Sequence, residues 1–184
     1  MDLKINTFNN KSIAYKGYHV RKDDGTSYYK TNSAFKIGAT LAAIDAAAIL
    51  FFTKAKFPKN FFRMLFPVAT HLTSAGIIDY KRNKEAAKIA KQIQQEGLNN
   101  TLISNDRVML SRNQKGYYDS NTGAKYGPWL GFAVGLLDLI IGKNYYKKQP
   151  KATIPATLLV STLGGYLLGY LSDSMANKDA QKHA

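Results

Sequence analysis

No cysteine occurs in the 184 residues, which excludes disulfides and thiolate metal sites. Histidine is nearly as scarce. With only His19, His71 and His183, a zinc site would depend on carboxylates, and no ligand spacing suggests one. Acids are few, 12 Asp and Glu against 26 Lys and Arg, giving a net charge of +14. A glycine-rich phosphate loop is missing: Gly164-Gly165 lies inside an apolar run and reads as a packing step. A nucleophile elbow is missing too, so Asp45, His71 and Ser74 hold the atoms of a triad without its setting. Neither enzyme chemistry nor a cofactor is expected. The opening stretch, MDLKINTFNNKSIAYKG, has no continuous apolar segment, so no cleavable signal peptide is expected.

What the chain does have is segregation. Four apolar runs alternate with segments rich in Lys, Asn, Tyr and Ser: 33–53, 61–79, 126–142 and 152–172. Each approaches the roughly 17–25 helical residues that cross a hydrocarbon core. None has a clean polar face, which marks buried or lipid-facing helices. Basic residues hug the run ends, where they meet anionic headgroups, and form no single stripe of the kind that tracks nucleic acid. The paired tyrosines, Tyr28-Tyr29, Tyr117-Tyr118 and Tyr145-Tyr146, sit near run edges with Trp129, as in an interfacial belt.

The two halves agree in order along their length. YYKTNS (28–33) matches YYDSNT (117–122), KFPK (56–59) matches KQPK (148–151), and DYKRNKEAAK (79–88) matches DSMANKDAQK (173–182). Gly38 precedes Asp45 by the same interval as Gly131 precedes Asp138, which predicts that the two acids are copies of one feature. The expected fold is therefore an all-α membrane protein. It has four transmembrane helices as two tandem helical hairpins in parallel repeat, each preceded by a short extramembrane β-hairpin. The first repeat covers 1–96, with a β-hairpin about 12–30 and helices about 33–53 and 60–96. The second covers 97–184, with a β-hairpin about 107–119 and helices about 126–142 and 152–182. The Asp24-Gly25 turn signal marks the first hairpin, and the two hairpins are expected to pair into one small sheet. Residues 97–107 read as a linker.

A charged side chain at the centre of a span costs roughly 2.5–3.5 kcal/mol on insertion scales. Lys36 and Arg63 lie near run ends and can snorkel; Asp45 and Asp138 cannot. Small residues four apart, Gly38-Ala42 in helix one, Gly127-Gly131-Gly135 in helix three and Gly165-Gly169 in helix four, let backbones approach. The acids fall on those faces and so are expected to face neighbouring helices. Counting through an antiparallel hairpin sets His71 level with Asp45 and Thr157 or Ser161 near Asp138. If the pseudo-twofold runs between helices one and three, the acids would also face each other. Asp79 and Asp173, at span ends beside Lys and Asn, read as a solvated boundary.

The leading functional expectation is a multi-pass protein with a structural, packing or partner-holding role. Its partners would be the lipid bilayer and a second copy or another membrane protein. The alternative is a proton- or cation-coupled transporter or channel using the intramembrane cluster Asp45, His71 and Asp138. A weaker alternative is a basic peripheral protein binding anionic lipid or nucleic acid. Lysines crowd the short turns (Lys54, Lys56 and Lys59; Lys143, Lys147, Lys148 and Lys151), in conflict with the orientation that the unexported N-terminus favours. Both termini are expected on the cytoplasmic side.

Overall fold

The computed structural model describes residues 18–21, 27–52 and 59–184. Strands β1 (Tyr18–Arg21) and β2 (Ser27–Lys30) form a hairpin, followed by helices α1 (Ser33–Phe52) and α2 (Lys59–Glu96). A short helix α3 (Leu98–Ser104) leads to a second hairpin, β3 (Val108–Leu110) and β4 (Gly116–Tyr118). Then come α4 (Thr122–Ile141), the single-turn α5 (Lys143–Tyr146) and α6 (Thr153–His183). Each two-stranded ladder is antiparallel, and the innermost pairs match: Arg21 with Ser27, Leu110 with Gly116. The two hairpins form separate sheets and do not join into one. The turn at Asp24-Gly25, residues 12–17 and the connection 53–58 lie outside the described residues.

The helices pack as two antiparallel pairs, α1 with α2 and α4 with α6, and the pairs meet through α1 on α6 and α2 on α4. Ala34, Ala75, Ile78 and Leu168 form the buried seam, with Ile37, Leu41 and Leu130 packed against it. Glycine lets α4 and α6 touch backbone to backbone. A Cβ on Gly127 would run into the Gly165 carbonyl, and one on Gly131 into that of Ser161. In the other pair, a Cβ on Gly38 would come 2.6 Å from Ala75 Cβ and 2.9 Å from the His71 carbonyl oxygen.

Three helices are long and apolar enough to cross a membrane: α1, α4 and α6. Their apolar faces point outward, with Ile44, Leu137, Ile140, Leu159, Val160 and Leu167 all exposed. Only 17 %, 17 % and 11 % of their most apolar segments is buried by the rest of the chain. A bundle built for water would cover such faces. Helix α2 is not among the three. At about 1.5 Å per residue it is about 57 Å long, but Arg63, Pro67, His71 and Asp79 interrupt its apolar half and the remainder is polar. It stops at Gly97, whose φ of 80° closes the helix with a bond from its N–H to the Ile93 carbonyl.

The elements depart from the expected bounds in three places. Helix α4 begins at Thr122, a full turn before 126, and the linker and second connection carry the short helices α3 and α5. The early start of α4 has a cause outside its own sequence, a carboxylate on α6.

Candidate functional site

Helices α1 and α4 each expose unbonded N–H groups at their first turn. Local hydroxyls accept the first of these, Ser33 N–H to Thr31 Oγ1 and Thr122 N–H to Ser120 Oγ, each at 3.2 Å, while the N-cap residue of α4, Asn121, makes no side-chain cap bond. A carboxylate from the packed partner helix takes the next two. Asp79 on α2 accepts from the Ala34 and Phe35 N–H groups at 3.1 and 2.8 Å. Asp173 on α6 accepts from Gly123 and Ala124 at 2.9 and 2.8 Å. One turn further on, an asparagine clamps the strand-to-helix link. Asn83 bonds both the N–H and the carbonyl of Thr31, each at 2.9 Å, and Asn177 does the same for Ser120 at 2.8 and 2.9 Å. Hydroxyl pairs finish each turn, Thr31 with Ser33 and Ser120 with Thr122. The positive ends of two helix dipoles thus meet two buried acids.

Between these two clamps lies Arg82, 2 % exposed. Its guanidinium donates to Asp79 at 2.8 Å, to Asp173 at 2.8 Å and to the Ser172 hydroxyl at 2.8 Å. Its Nε lies 3.3 Å from both the Ser120 hydroxyl and Asp173. A planar fork suits this bridging of two carboxylates. Beside it, Glu85 accepts from the Tyr118 hydroxyl at 2.5 Å and from Thr122 at 2.7 Å, joining α2 to β4 and α4. Burial first, then the Glu85 acceptor, push the Tyr118 phenol up to about 12. Burial and the neighbouring Asp179 raise Tyr29 as well. The two hairpins therefore cross over, each tyrosine set against an acid of the other half.

The anticipated cluster is split. His71 Nε2 lies 2.7 Å from Asp45 Oδ2 in the α1–α2 pair. Asp138 belongs elsewhere. It lies in the last turn of α4 and accepts from the Tyr146 hydroxyl on α5 at 2.5 Å, not from Thr157 or Ser161. The acceptor carboxylate, with burial, holds the Tyr146 phenol above its ordinary value. Asp45 is only half sheltered, its side chain 46 % exposed. The two acids do not face each other, nor do they hold matching positions. Measured from the clamps, Gly38 pairs with Gly127, since each opposes a carbonyl of the partner helix, His71 and Gly165 respectively. Ala42 then matches Gly131, and Asp45 matches Val134, one turn short of Asp138. Gly38, Ala42, Gly127, Gly131, Gly135 and Gly169 are buried, and Gly165 is half-buried against Gly127.

Asp79 and Asp173, expected at a solvated boundary, are instead 6 % and 5 % exposed. The shared D-x3-N spacing was the signal. Asp and Asn four apart lie on one helix face and can grip one turn of chain together. Arg82 had no such signal, because position 176, its counterpart, is alanine. Among the described residues, no group of three or more His, Cys, Asp or Glu is placed to hold a metal ion. No family model, curated protein or solved structure matches the chain.

Proposed function

We propose that this chain is an integral membrane scaffold: two helical hairpins side by side in lipid, fastened at one end by the Asp79–Arg82–Asp173 clasp, with a structural, partner-holding role. The observation that carries the reading is the contrast between exterior and seam. Apolar faces of α1, α4 and α6 lie open along their length, while fully buried charge is concentrated in one layer. Lipid would cover the former, and the latter would fix how the hairpins sit. Helix α2 supplies the fourth crossing, its Arg63, His71 and Asp79 tolerated at an end or against α1. The halves are tandem copies. In support, the link residues Thr31 and Ser120 are 89 apart and the gripping residues Asp79 and Asp173 are 94 apart, and each set makes the same bonds. Two crossings per copy place both β-hairpins and both termini on one side, the cytoplasmic one.

The absence of cysteine makes the test clean. Single cysteines at Asn105, Lys148 and Lys182 are labelled in sealed inverted vesicles with an impermeant maleimide. Four crossings require Asn105 and Lys182 to react and Lys148 to be protected; Lys182 and Asn105 on opposite sides would end the proposal.

A second reading rests on the Asp45–His71 bond, an ionisable pair between two helices within the apolar region. As a proton or cation relay, it predicts ion flux in liposomes that Asp45→Asn abolishes with assembly intact. Under the scaffold reading, flux is absent from the start.

A further inference from the structure

Beyond the clasp, the two β-hairpins and the outer turns of α2 and α6 enclose a cavity of about 350 Å³. It is large enough for a small molecule, since ligand pockets run from about 300 to 1,000 Å³. Tyr28 and Tyr29 line it from one hairpin, Tyr117 and Tyr118 from the other. The helices contribute an apolar floor of Ile89, Ile93 and Ala180. Tyr29 stacks on His183, ring centroids 4.7 Å apart. The charged side chains of the lining have one sign. Arg82 and Lys115 border the cavity, while the described lining residues include no Asp or Glu. Glu85 stays outside, its carboxylate engaged by Tyr118 and Thr122.

We propose that this cavity binds a small aromatic anion, a planar ring system bearing one sulfonate, phosphate or carboxylate. The rings lie among the tyrosines over the isoleucine floor, where flat apolar surface meets flat apolar surface. The anion is held by Lys115 and not by Arg82, because the Arg82 guanidinium is committed to Asp79, Asp173 and Ser172. Lys115 is exposed at the β3–β4 turn, and no salt bridge among the described residues engages it. It brings three donors on a flexible stem to the mouth of the cavity. This inference is independent of how many helices cross the membrane.

The test is calorimetric titration of the full chain in detergent, with the micelle-only heats subtracted. The probes are 2-naphthalenesulfonate and its neutral counterpart 2-naphthalenemethanol. The anion is expected to bind saturably at one site, about tenfold tighter than the alcohol. Ala180→Phe, which fills the floor, is expected to weaken both probes about tenfold. Lys115→Gln, on an exposed side chain that leaves folding intact, is expected to bring the anion down to the affinity of the alcohol. Absence of saturable heat overturns the proposal, as does equal affinity for the two probes. So does a loss confined to Lys115→Gln with a folded Ala180→Phe variant unaffected, which would assign the anion to the protein surface.

Discussion

Arg82 does the work of two residues. Removing it leaves two carboxylates buried with no cation between them, a situation that costs roughly 3–5 kcal/mol in comparable buried pairs. Arg82→Ala is therefore expected to lower stability by about that amount, read as a large drop in the midpoint of thermal unfolding in detergent. Arg82→Lys is expected to recover only part of the loss, because an ammonium cannot fork across both acids. Tyr118 gives a second prediction. Its phenol is raised to about 12 in the fold, so the folded state favours the neutral form. That contribution is whole below the ordinary tyrosine value of about 10 and is lost as pH rises through about 12. In an absorbance titration at 295 nm, the last phenol to ionise should vanish in Tyr118→Phe, which should also lose the alkaline fall in stability. Some of this scale was legible from sequence. Counting residues back from a hairpin turn paired His71 with Asp45, because antiparallel helices keep step at a fixed rise. Aligning Gly38 with Gly131, and so Asp45 with Asp138, was a turn out. Gly127, Gly131 and Gly135 repeat every fourth residue, close to one helical turn, so a one-turn slip lands on equally small neighbours and leaves no trace in the pattern.

At the scale of elements, close backbone contact decides which glycines matter. Gly164 and Gly165 are adjacent, yet a Cβ on Gly164 meets nothing within 4 Å while one on Gly165 strikes the Gly127 carbonyl. Gly165→Ala is expected to cost about 1–3 kcal/mol by forcing α4 and α6 apart. Gly164→Ala should be neutral or gain up to about 1 kcal/mol from helix propensity; parallel thermal melts check both. The β3–β4 turn holds a residue of the wrong kind. Gln114 has a φ of 59°, a left-handed conformation that favours glycine, and the first hairpin carries Gly25 at the matching position, 89 residues earlier. Gln114→Gly is expected to stabilise by about 0.5–1 kcal/mol. Local signals located the helices and Gly97, but not the start of α4. Its cap is Asp173, 50 residues from Gly123, and no window of sequence around Thr122 contains it. The burial of Asp79 and Asp173 was hidden for the same reason. An acid beside Lys and Asn at a helix end looks solvated until the helix terminus it serves is brought alongside.

For the whole molecule, the apolar exterior was the most legible feature, since composition alone separates runs that water would not tolerate. The number of crossings was less so: α1, α4 and α6 qualify on length and apolarity, whereas α2 mixes an apolar half with a charged extension. Among the contacts that join the hairpins, the buried seam and Glu85 included, Arg82 is the one that bridges the two helix-capping acids, Asp79 and Asp173. At position 176, where a second arginine would fall, there is alanine. If the halves descend from one ancestral hairpin, two identical subunits could once have supplied two guanidiniums to two carboxylates. Here one guanidinium serves both carboxylates. Two C-terminal halves brought together would bury acids with nothing to neutralise them, and two N-terminal halves would crowd a space now shaped for one fork. Under that descent the single arginine would tie the halves into one polypeptide, since a C-terminal half alone carries alanine at 176 and has no guanidinium to set beside Asp173.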